Sequence, residues 1–287
     1  MIYLLLSILA STLIFICFKL FDKFKVNTLQ AIVVNYIVAC TCGLLSYQNP
    51  VRISEIVSTK WFYGAIALGF LFISIFNVMA LTAQKNGLSV ASVASKMSVI
   101  IPIVFGFFVY NESAGFQKIL GIALALVAVY LSSVKSKSTV NFKKNLLLPV
   151  ILFFGSGIID TSIKYLETTY VSENGIPIFS ATIFCFAAII GIATLIYKAY
   201  NNQFKFDSKS LLGGLILGVI NYSSIYYLLK ALHFEGSESS TIFTVNNVAI
   251  VMSSTLIGLF FFKEYISKKN WIGIALAIIS ILLVTLA

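Results

Sequence analysis

One lysine stands deep inside an apolar segment that is long enough to cross a membrane. Lys96 lies about seven residues into the run 89–109, roughly 10 Å from its start at about 1.5 Å per residue. A charge at such depth costs roughly 2.5–3.5 kcal/mol on insertion scales, so it marks a functional site by default. Ser92 precedes it by one helical turn. These residues predict a pocket for an anionic or zwitterionic group; the alternative is a lysine that extends to the membrane surface or to helix-end carbonyls.

A second ionisable pair lies near the end of the run 146–165. Asp160 and Lys164 are four residues apart, a spacing that puts them on one helix face as a potential ion pair. Asp160 is therefore a candidate to carry a proton or to bind a substrate amine, with Lys164 as a coupling candidate beside it. The alternative is a pair that neutralises itself at the membrane rim.

Neutral polar side chains occupy three further apolar runs. Amides can line a cavity, and a tyrosine can stack on a substrate and donate a hydrogen bond. The alternatives are hydrogen bonds between membrane helices and an aromatic belt at the interface. The candidate cavity residues of this type are Asn77, Asn221, Tyr222, Thr244, Asn246 and Asn247.

The remaining reactive residue types predict no chemistry. His233 lies beside Glu235 and Glu238 and is interpreted as a solvated loop residue. Glu112 and Glu264 precede predicted helices, where a carboxylate is favoured by the helix dipole, and are interpreted as structural caps. No catalytic set, metal site or cofactor is expected, so the chain is not predicted to be an enzyme. The cysteines lie inside apolar runs without zinc-site spacing and are interpreted as small core residues: Cys17, Cys40, Cys42 and Cys185.

The composition explains why these side chains are conspicuous. Of 287 residues, 59% are hydrophobic and 10% are charged, and the mean hydropathy is +0.99; an average soluble domain has about 25% charged residues. This excludes a soluble enzyme, a disordered chain and a nucleic-acid-binding module. The net charge of +10 is spread between the apolar runs, so it is interpreted as a topology signal.

Ten apolar runs approach the roughly 20 residues that a spanning helix needs. None alternates with a period of two, so a barrel is excluded. The first could be a signal peptide, but it lacks a basic start and a small-residue cleavage site and is interpreted as the first span. The runs are 2–20, 29–47, 62–83, 89–109, 116–134, 146–165, 176–198, 211–230, 240–262 and 270–287.

The positions of the lysines and of the one arginine predict an orientation. Fourteen lie in the loops after helices 1, 3, 5, 7 and 9, and five lie in the other loops. We call the first side the lysine-rich face. The positive-inside rule puts this face in the cytoplasm, which leaves both termini outside.

The two halves of the chain, 1–134 and 146–287 on either side of a polar linker 135–145, repeat each other. Gly121-Ile122-Ala123-Leu124-Ala125 recurs 152 residues later as Gly273-Ile274-Ala275-Leu276-Ala277. Five helices is an odd number, so the second half must enter the membrane in the opposite sense. Such inverted repeats enclose a midplane substrate site in many transporters. Lys96 corresponds to residue 245 or 248, next to Asn246 and Asn247. Further matches are Gly64 with Gly213, Gly69 with Gly218, Gly87 with Gly236, Gly106 with Gly258, Glu112 with Glu264, Ser11 with Ser156 and Lys19 with Lys164.

Two segments give the pattern a family resemblance. Helices 4 and 9 end in Gly106-Phe107-Phe108-Val109-Tyr110-Asn111-Glu112 and Gly258-Leu259-Phe260-Phe261-Phe262-Lys263-Glu264, and glycine-containing helices follow. With ten spans in two halves, this resembles the EamA-like branch of the drug/metabolite transporter superfamily. The family usually has Gly before this glutamate, where this chain has Asn111 and Lys263. A proline often found early in helix 4 appears only as Pro102. Several relatives have both termini in the cytoplasm, opposite to the lysine count.

The resemblance implies a fold and a function. The fold is an all-α integral membrane protein of ten transmembrane helices, with two inverted five-helix repeats around a central cavity. The function is transport of small organic molecules such as amino acids, metabolites or drugs. The excess of buried positive over negative charge favours export or exchange of an anionic or zwitterionic metabolite, such as an amino acid, by alternating access in a bacterial inner membrane. The alternatives are a proton-coupled exporter of cationic drugs and a non-transporting scaffold or receptor. Expected partners are the solute, membrane lipid and a second copy in a homodimer, but no nucleic acid.

Overall fold

The structure, a computed structural model, describes residues 2–48, 50, 52–109, 115–133, 142–172, 175–232 and 239–285. This part of the chain forms twelve helices joined by short connections. They are α1 (Ile2–Lys23), α2 (Thr28–Ser46), α3 (Ile53–Val57), α4 (Phe62–Lys85), α5 (Leu88–Met97), α6 (Ile100–Val109), α7 (Phe116–Ser133), α8 (Phe142–Tyr170), α9 (Ile176–Tyr200), α10 (Ser208–Leu232), α11 (Ser239–Phe260) and α12 (Lys268–Thr285).

Six of these helices are long and apolar enough to cross a membrane. Their spans are Ile2–Lys23, Thr28–Ser46, Phe62–Lys85, Leu146–Glu167, Ile176–Tyr200 and Ser208–Leu228. Large apolar side chains along them are exposed, including Leu5, Ile196 and Leu212. Exposed apolar surface of this extent requires a lipid environment. The chain is therefore a multi-pass membrane protein, as its composition predicts.

The predicted spans agree with the helices to within a few residues, with one exception. The predicted single helix 89–109 is wrong, because α5 ends at Met97 and α6 begins at Ile100. Pro102 has no amide hydrogen, and its ring collides with the carbonyl four residues earlier, that of Ser98. The Ile101 amide donates to the Ser98 oxygen instead, at 2.9 Å. The short helix α3 was also not predicted.

The helices pack as two compact units, each drawn from both halves of the sequence. Unit 1 comprises Met1–Leu20, Val78–Ile158 and Ser223–Ala287, and unit 2 comprises Phe21–Asn77 and Ile159–Tyr222. Each unit thus depends on segments that are distant in sequence. The predicted halves 1–134 and 146–287 do not coincide with these units.

Unit 1 is built around α5 and the pair α7–α12, which pack along their lengths. Ala125 and Ala277 are fully buried there, and the Ser280 hydroxyl donates to the Gly121 oxygen at 2.6 Å. Small residues let membrane helices approach closely. The recurring Gly-Ile-Ala-Leu-Ala segments therefore lie at the interface where their small side chains are needed.

Unit 2 is centred on the pair α2–α9. Tyr36 is fully buried, stacks on Phe184 at 6.0 Å between ring centroids, and donates to the Phe72 oxygen at 2.9 Å. Gly214 and Gly218 bring α10 against α2: a Cβ built at Gly214 would lie 2.5 Å from the Ala31 oxygen. This glycine spacing holds the two backbones close together.

Polar contacts join the start of α2 to the connection that precedes α10. The Asn27 amide donates to Ser210 Oγ at 3.0 Å, and Gln30 Nε2 donates to the Lys205 oxygen at 2.7 Å. Asp207 accepts from Ser210 Oγ at 2.7 Å, and this hydrogen bond holds the pKa of its carboxyl below its usual value. The connections after α1 and after α9 thus contact each other within unit 2.

Candidate functional site

Lys96 lies in the last turn of α5, just before the break in the helix, and its side chain is half-buried. Ser92 is fully buried, and its hydroxyl donates to the Ser89 oxygen at 3.1 Å. The Ser98 hydroxyl donates to the Ser95 oxygen at 2.5 Å. The end of α5 therefore carries one cation beside an interrupted backbone, and the neighbouring Ser92 and Ser98 hydroxyls bond to backbone oxygens of their own segment.

The two adjacent asparagines of α11 differ in their surroundings. Ser7 Oγ lies 3.3 Å from Asn246 Oδ1 and 3.1 Å from the Ser224 oxygen, so Asn246 joins α11 to α1 within unit 1. Asn246 is 2% exposed and Asn247 is 7% exposed. Asn246 thus takes part in a contact between helices, the alternative that the sequence left open for it, whereas Asn247 lies on a different face of the same helix.

A carboxylate from a distant loop closes the amino end of α5. The Leu88 amide donates to Glu264, whose Oε1 and Oε2 both lie at 3.0 Å. The expectation that Glu264 caps the helix that follows it is wrong. That helix, α12, begins with Ser267 and Asn270, where the Ser267 amide donates to Asn270 Oδ1 at 3.0 Å and the Asn270 amide donates to Ser267 Oγ at 3.2 Å, the pattern of a capping box.

Two glycines make room for this carboxylate. A Cβ built at Gly87 or at Gly258 would lie 2.8 or 2.7 Å from Glu264 Oε2. Gly87 also has φ of 109°, a backbone region that side-chain-bearing residues rarely adopt. Lys263 has φ of 51°, and the Glu264 amide donates to the Gly258 oxygen at 2.9 Å. The chain after α11 is therefore folded back so that Glu264 points at α5.

Lys19 completes this cluster from the end of α1. Its Nζ lies 3.1 Å from Glu264 Oε1 and 3.5 Å from the Ala83 oxygen at the end of α4. Gln84 Nε2 donates to the Phe18 oxygen at 3.1 Å. The Lys19 and Glu264 side chains are 20% and 13% exposed, so the ion pair is largely shielded from solvent. The ends of α1 and α4 and the connection after α11 therefore meet here within unit 1.

The candidates in unit 2 lie on α4, α10 and α8. On α4, half-buried Asn77 donates to the Ile73 oxygen at 2.7 Å. On α10, Asn221 is buried and the half-buried Tyr222 hydroxyl lies 2.5 Å from Ser46 Oγ, at the end of α2. Tyr222 therefore makes a contact between α10 and α2.

Asp160 and Lys164 lie on α8, and both are exposed. Asp160 is inside the membrane-spanning part, Leu146–Glu167. Other predictions lie outside the described residues: the cap Glu112, the loop group around His233, most of the linker 135–145, and the side chain of Thr244 on α11. All four cysteines are free thiols, and Cys17 is buried.

The cluster at the start of α5 was not predicted as a unit, although its members are visible in the repeat. Lys19, Gly87, Gly258 and Glu264 each match a residue of the same type in the other half. Their proximity could not be inferred, because they lie on three stretches of the chain that are far apart in sequence. The sequence feature that could have drawn attention to these four residues is that charged residues and glycines recur together in the other half. Recurrence of apolar residues alone would carry little information, because apolar residues are common in every span.

Comparison with known proteins gives a family and a fold. No family model matches the chain. The crystal structure of another protein covers 99% of this chain and 96% of its own, with a TM-score of 0.57 and 15% identity; at that identity the likeness concerns the fold alone. An uncharacterized protein of Haemophilus influenzae is 30% identical over 285 residues, which cover 97% of this chain and 95% of that protein. The chain therefore belongs to the same family as this Haemophilus influenzae protein.

Proposed function

We propose that this protein is a secondary transporter that exports or exchanges a small anionic or zwitterionic metabolite, such as an amino acid, by alternating access. It would belong to the EamA-like branch of the drug/metabolite transporter superfamily and act in a bacterial cytoplasmic membrane. Its ten spans would form two inverted five-helix repeats, in which α5 and α6 together make the fourth span. The proposal combines a repeat architecture with a charged group at a helix break.

The packing within each unit supports the inverted repeat. The contacting pairs α2–α9, α5–α11 and α7–α12 each join two helices that the repeat makes equivalent, and the contact α5–α7 has its counterpart in α11–α12. If each helix is replaced by its counterpart in the other half, the pairs α2–α9, α5–α11 and α7–α12 are unchanged, and the pair α5–α7 becomes the pair α11–α12. A two-fold pseudo-symmetry of this kind is the signature of inverted-repeat transporters.

Close contacts of glycines in unit 2 also occur in pairs that the repeat makes equivalent. A Cβ built at Gly69 would lie 3.1 Å from the Ile183 oxygen, and its counterpart at Gly218 would lie 2.8 Å from the Asn35 oxygen. Gly64 similarly faces Leu166, as its counterpart Gly213 faces Phe21. Residues 35 and 183 are 148 apart and residues 21 and 166 are 145 apart, close to the offsets of the repeat itself.

The single observation that carries the function is the position of Lys96 beside the break between α5 and α6. Transporters of this architecture bind substrate where spanning helices are discontinuous, because the interrupted backbone offers polar groups at the midplane. A lysine at such a break supplies a positive charge for a carboxylate or phosphate. Asn247 on α11, at the equivalent depth of the other half, would add an amide to the same cavity.

A binding and transport experiment tests the proposal. The purified protein is screened by thermal shift against amino acids, nucleotide sugars and sugar phosphates, since a ligand of the native state raises its apparent stability. Uptake of each hit into proteoliposomes is then measured. We expect Lys96→Ala to abolish both signals and Lys198→Ala, in the last turn of α9, to leave them unchanged. Binding without uptake by the wild type would favour a receptor, and Lys96→Ala with wild-type uptake would overturn the site.

Asp160 supports a second candidate, proton-coupled export of cationic drugs. Its carboxylate is exposed within a membrane-spanning segment, where a charge in contact with lipid would be costly. A water-filled cavity would relieve that cost, and the carboxylate could then bind a cation or a proton. This candidate predicts stabilisation by cationic drugs that is lost in Asp160→Asn and retained in Lys96→Ala. The matched control is Asp22→Asn, at the exposed end of α1.

A further inference from the structure

The amino end of α5 is held by a cluster of side chains from distant parts of the chain. Lys19, Gly87, Gly258 and Glu264, which we call the latch, join the end of α1, the start of α5 and the end of α11 within unit 1. The same cluster reaches the end of α4 through the Lys19 contact with the Ala83 oxygen. The ends of α1, α4 and α11 and the start of α5 thus contact one another on the lysine-rich face.

We propose that the latch closes the lysine-rich face of the transporter, and that release of Glu264 from both Lys19 and the Leu88 amide lets α5 move and opens that face to water. This inference rests on the proposed function, because a gate is meaningful only if a solute passes. The hydrogen bond from the Leu88 amide to a carboxylate is charge-assisted and stronger than a neutral one. Opening would require the loss of this bond together with the ion pair.

Three observations distinguish the latch from an ordinary surface ion pair. The side chains are largely shielded, at 20% and 13% exposure, whereas Arg52 and Glu55 form an ion pair at 68% and 65% exposure. Gly87 and Gly258 are placed so that any Cβ would displace the carboxylate. Finally, the clamped helix is the one that carries Lys96, so release of its amino end would act directly on the candidate site.

The repeat adds a sequence argument. Lys164, Gly236, Gly106 and Glu112 are the counterparts of the four latch residues and have the same types. A purely local cap would give no reason for all four to recur together. Glu112 and Gly236 lie outside the described residues, so the proposal concerns the Lys19–Glu264 latch alone.

A cysteine-labelling experiment tests the latch without any substrate. The reporter is Ser89→Cys, in the first turn of α5 and buried, in full-length protein whose four native cysteines are replaced by serine. A membrane-impermeant maleimide is applied to vesicles from the lysine-rich face. We expect Glu264→Gln to raise the labelling rate of this reporter roughly tenfold, because it removes the charge from both contacts. Gly258→Ala should have the same effect, because it displaces the carboxylate without changing any charge.

Controls make the outcome unambiguous. Glu55→Gln removes the exposed Arg52–Glu55 pair and should leave the reporter unchanged, and a separate reporter, exposed Gln203→Cys, should label equally in all backgrounds. Lys19→Gln keeps the cap on Leu88 and should give a smaller rise than Glu264→Gln. Wild-type labelling rates in both Glu264→Gln and Gly258→Ala would overturn the latch even if the protein transports a solute. A rise in labelling without uptake of any solute would instead overturn the proposed function and leave latch opening intact.

Discussion

Pro102 stands four residues after Ser98, and the Ser98 carbonyl accepts from the Ile101 amide at 2.9 Å because proline has no hydrogen to donate. This relation ends α5 one residue after Lys96. The helix break and the half-buried Lys96 are therefore neighbours for a structural reason. If transport depends on the break, its removal should have a larger effect on activity than on folding.

Pro102→Ala is the corresponding test. The new amide can donate to the Ser98 oxygen, so α5 and α6 can merge into one helix, and alanine removes a helix-interior penalty of about 3 kcal/mol or less. We expect the apparent melting temperature of the variant to equal or exceed that of the wild type, and we expect its proteoliposome uptake to be severely reduced or lost. Full uptake by the variant would mean that the interruption has no part in transport.

The contact between α10 and α2 should be intolerant of any added side chain. Gly214→Ala would put a Cβ 2.5 Å from the Ala31 oxygen, a backbone atom that cannot move independently. Overpacking of this kind typically costs about 1–3 kcal/mol, so the apparent melting temperature should fall by several degrees. Gly115→Ala is the matched control, because its Cβ would meet nothing within 4 Å. Equal melting temperatures for the two variants would contradict the close approach.

The adjacent asparagines of α11 should separate stability from transport. Asn246→Ala removes the partner of Ser7, and hydrogen bonds between membrane helices contribute about 0.6 kcal/mol on average. A small fall in melting temperature with nearly normal uptake is expected. Asn247→Ala should show the reverse, normal melting and reduced uptake. The assignment of Asn247 to the cavity is wrong if its variant transports like the wild type.

Asp207 should make folding stability depend on acid. The Ser210 hydroxyl and the amides of Asn27 and Lys209 hold the pKa of its carboxyl below its usual value. Because the folded pKa is depressed, this stabilisation is present above the unfolded value of about 3.9 and is lost as pH falls through the folded value. The gap in melting temperature between wild type and Asp207→Asn should therefore close below about pH 4. Asp207→Ala, which removes these hydrogen bonds entirely, should remain less stable than the wild type at every pH. A difference in melting temperature between wild type and Asp207→Asn that does not change with pH would contradict this assignment.

Helix positions were predictable because apolar length and polar breaks are local properties of the sequence. The predicted run 176–198 corresponds to α9, Ile176–Tyr200, and the run 211–230 to α10, Ser208–Leu232. The break after Met97 was missed although Pro102 is conspicuous. Proline is tolerated in many membrane helices when neighbours satisfy the freed carbonyl, so its effect on the helix could not be decided from the sequence.

Side-chain partners were less predictable because they depend on which helices meet. Glu264 was expected to act on the helix next to it in sequence, yet it binds the start of α5. Asn246 was a candidate to line a cavity, yet its partner Ser7 comes from α1. Lys96 is conspicuous as a charge inside an apolar segment because hydropathy alone reveals it, and its role in binding stays a prediction. Polarity thus locates unusual residues, and tertiary packing decides what they touch.

The pairing of helices across the two halves has a consequence for biosynthesis. In α2–α9, α5–α11 and α7–α12 the first helix emerges from the ribosome long before its partner. Until then the faces with which these early helices pack against α9, α11 and α12 lack their native partners. The first half can therefore enter the membrane but cannot complete its tertiary structure until most of the second half has been translated. A membrane insertase or chaperone that shelters such faces during this interval would then limit the yield of folded protein.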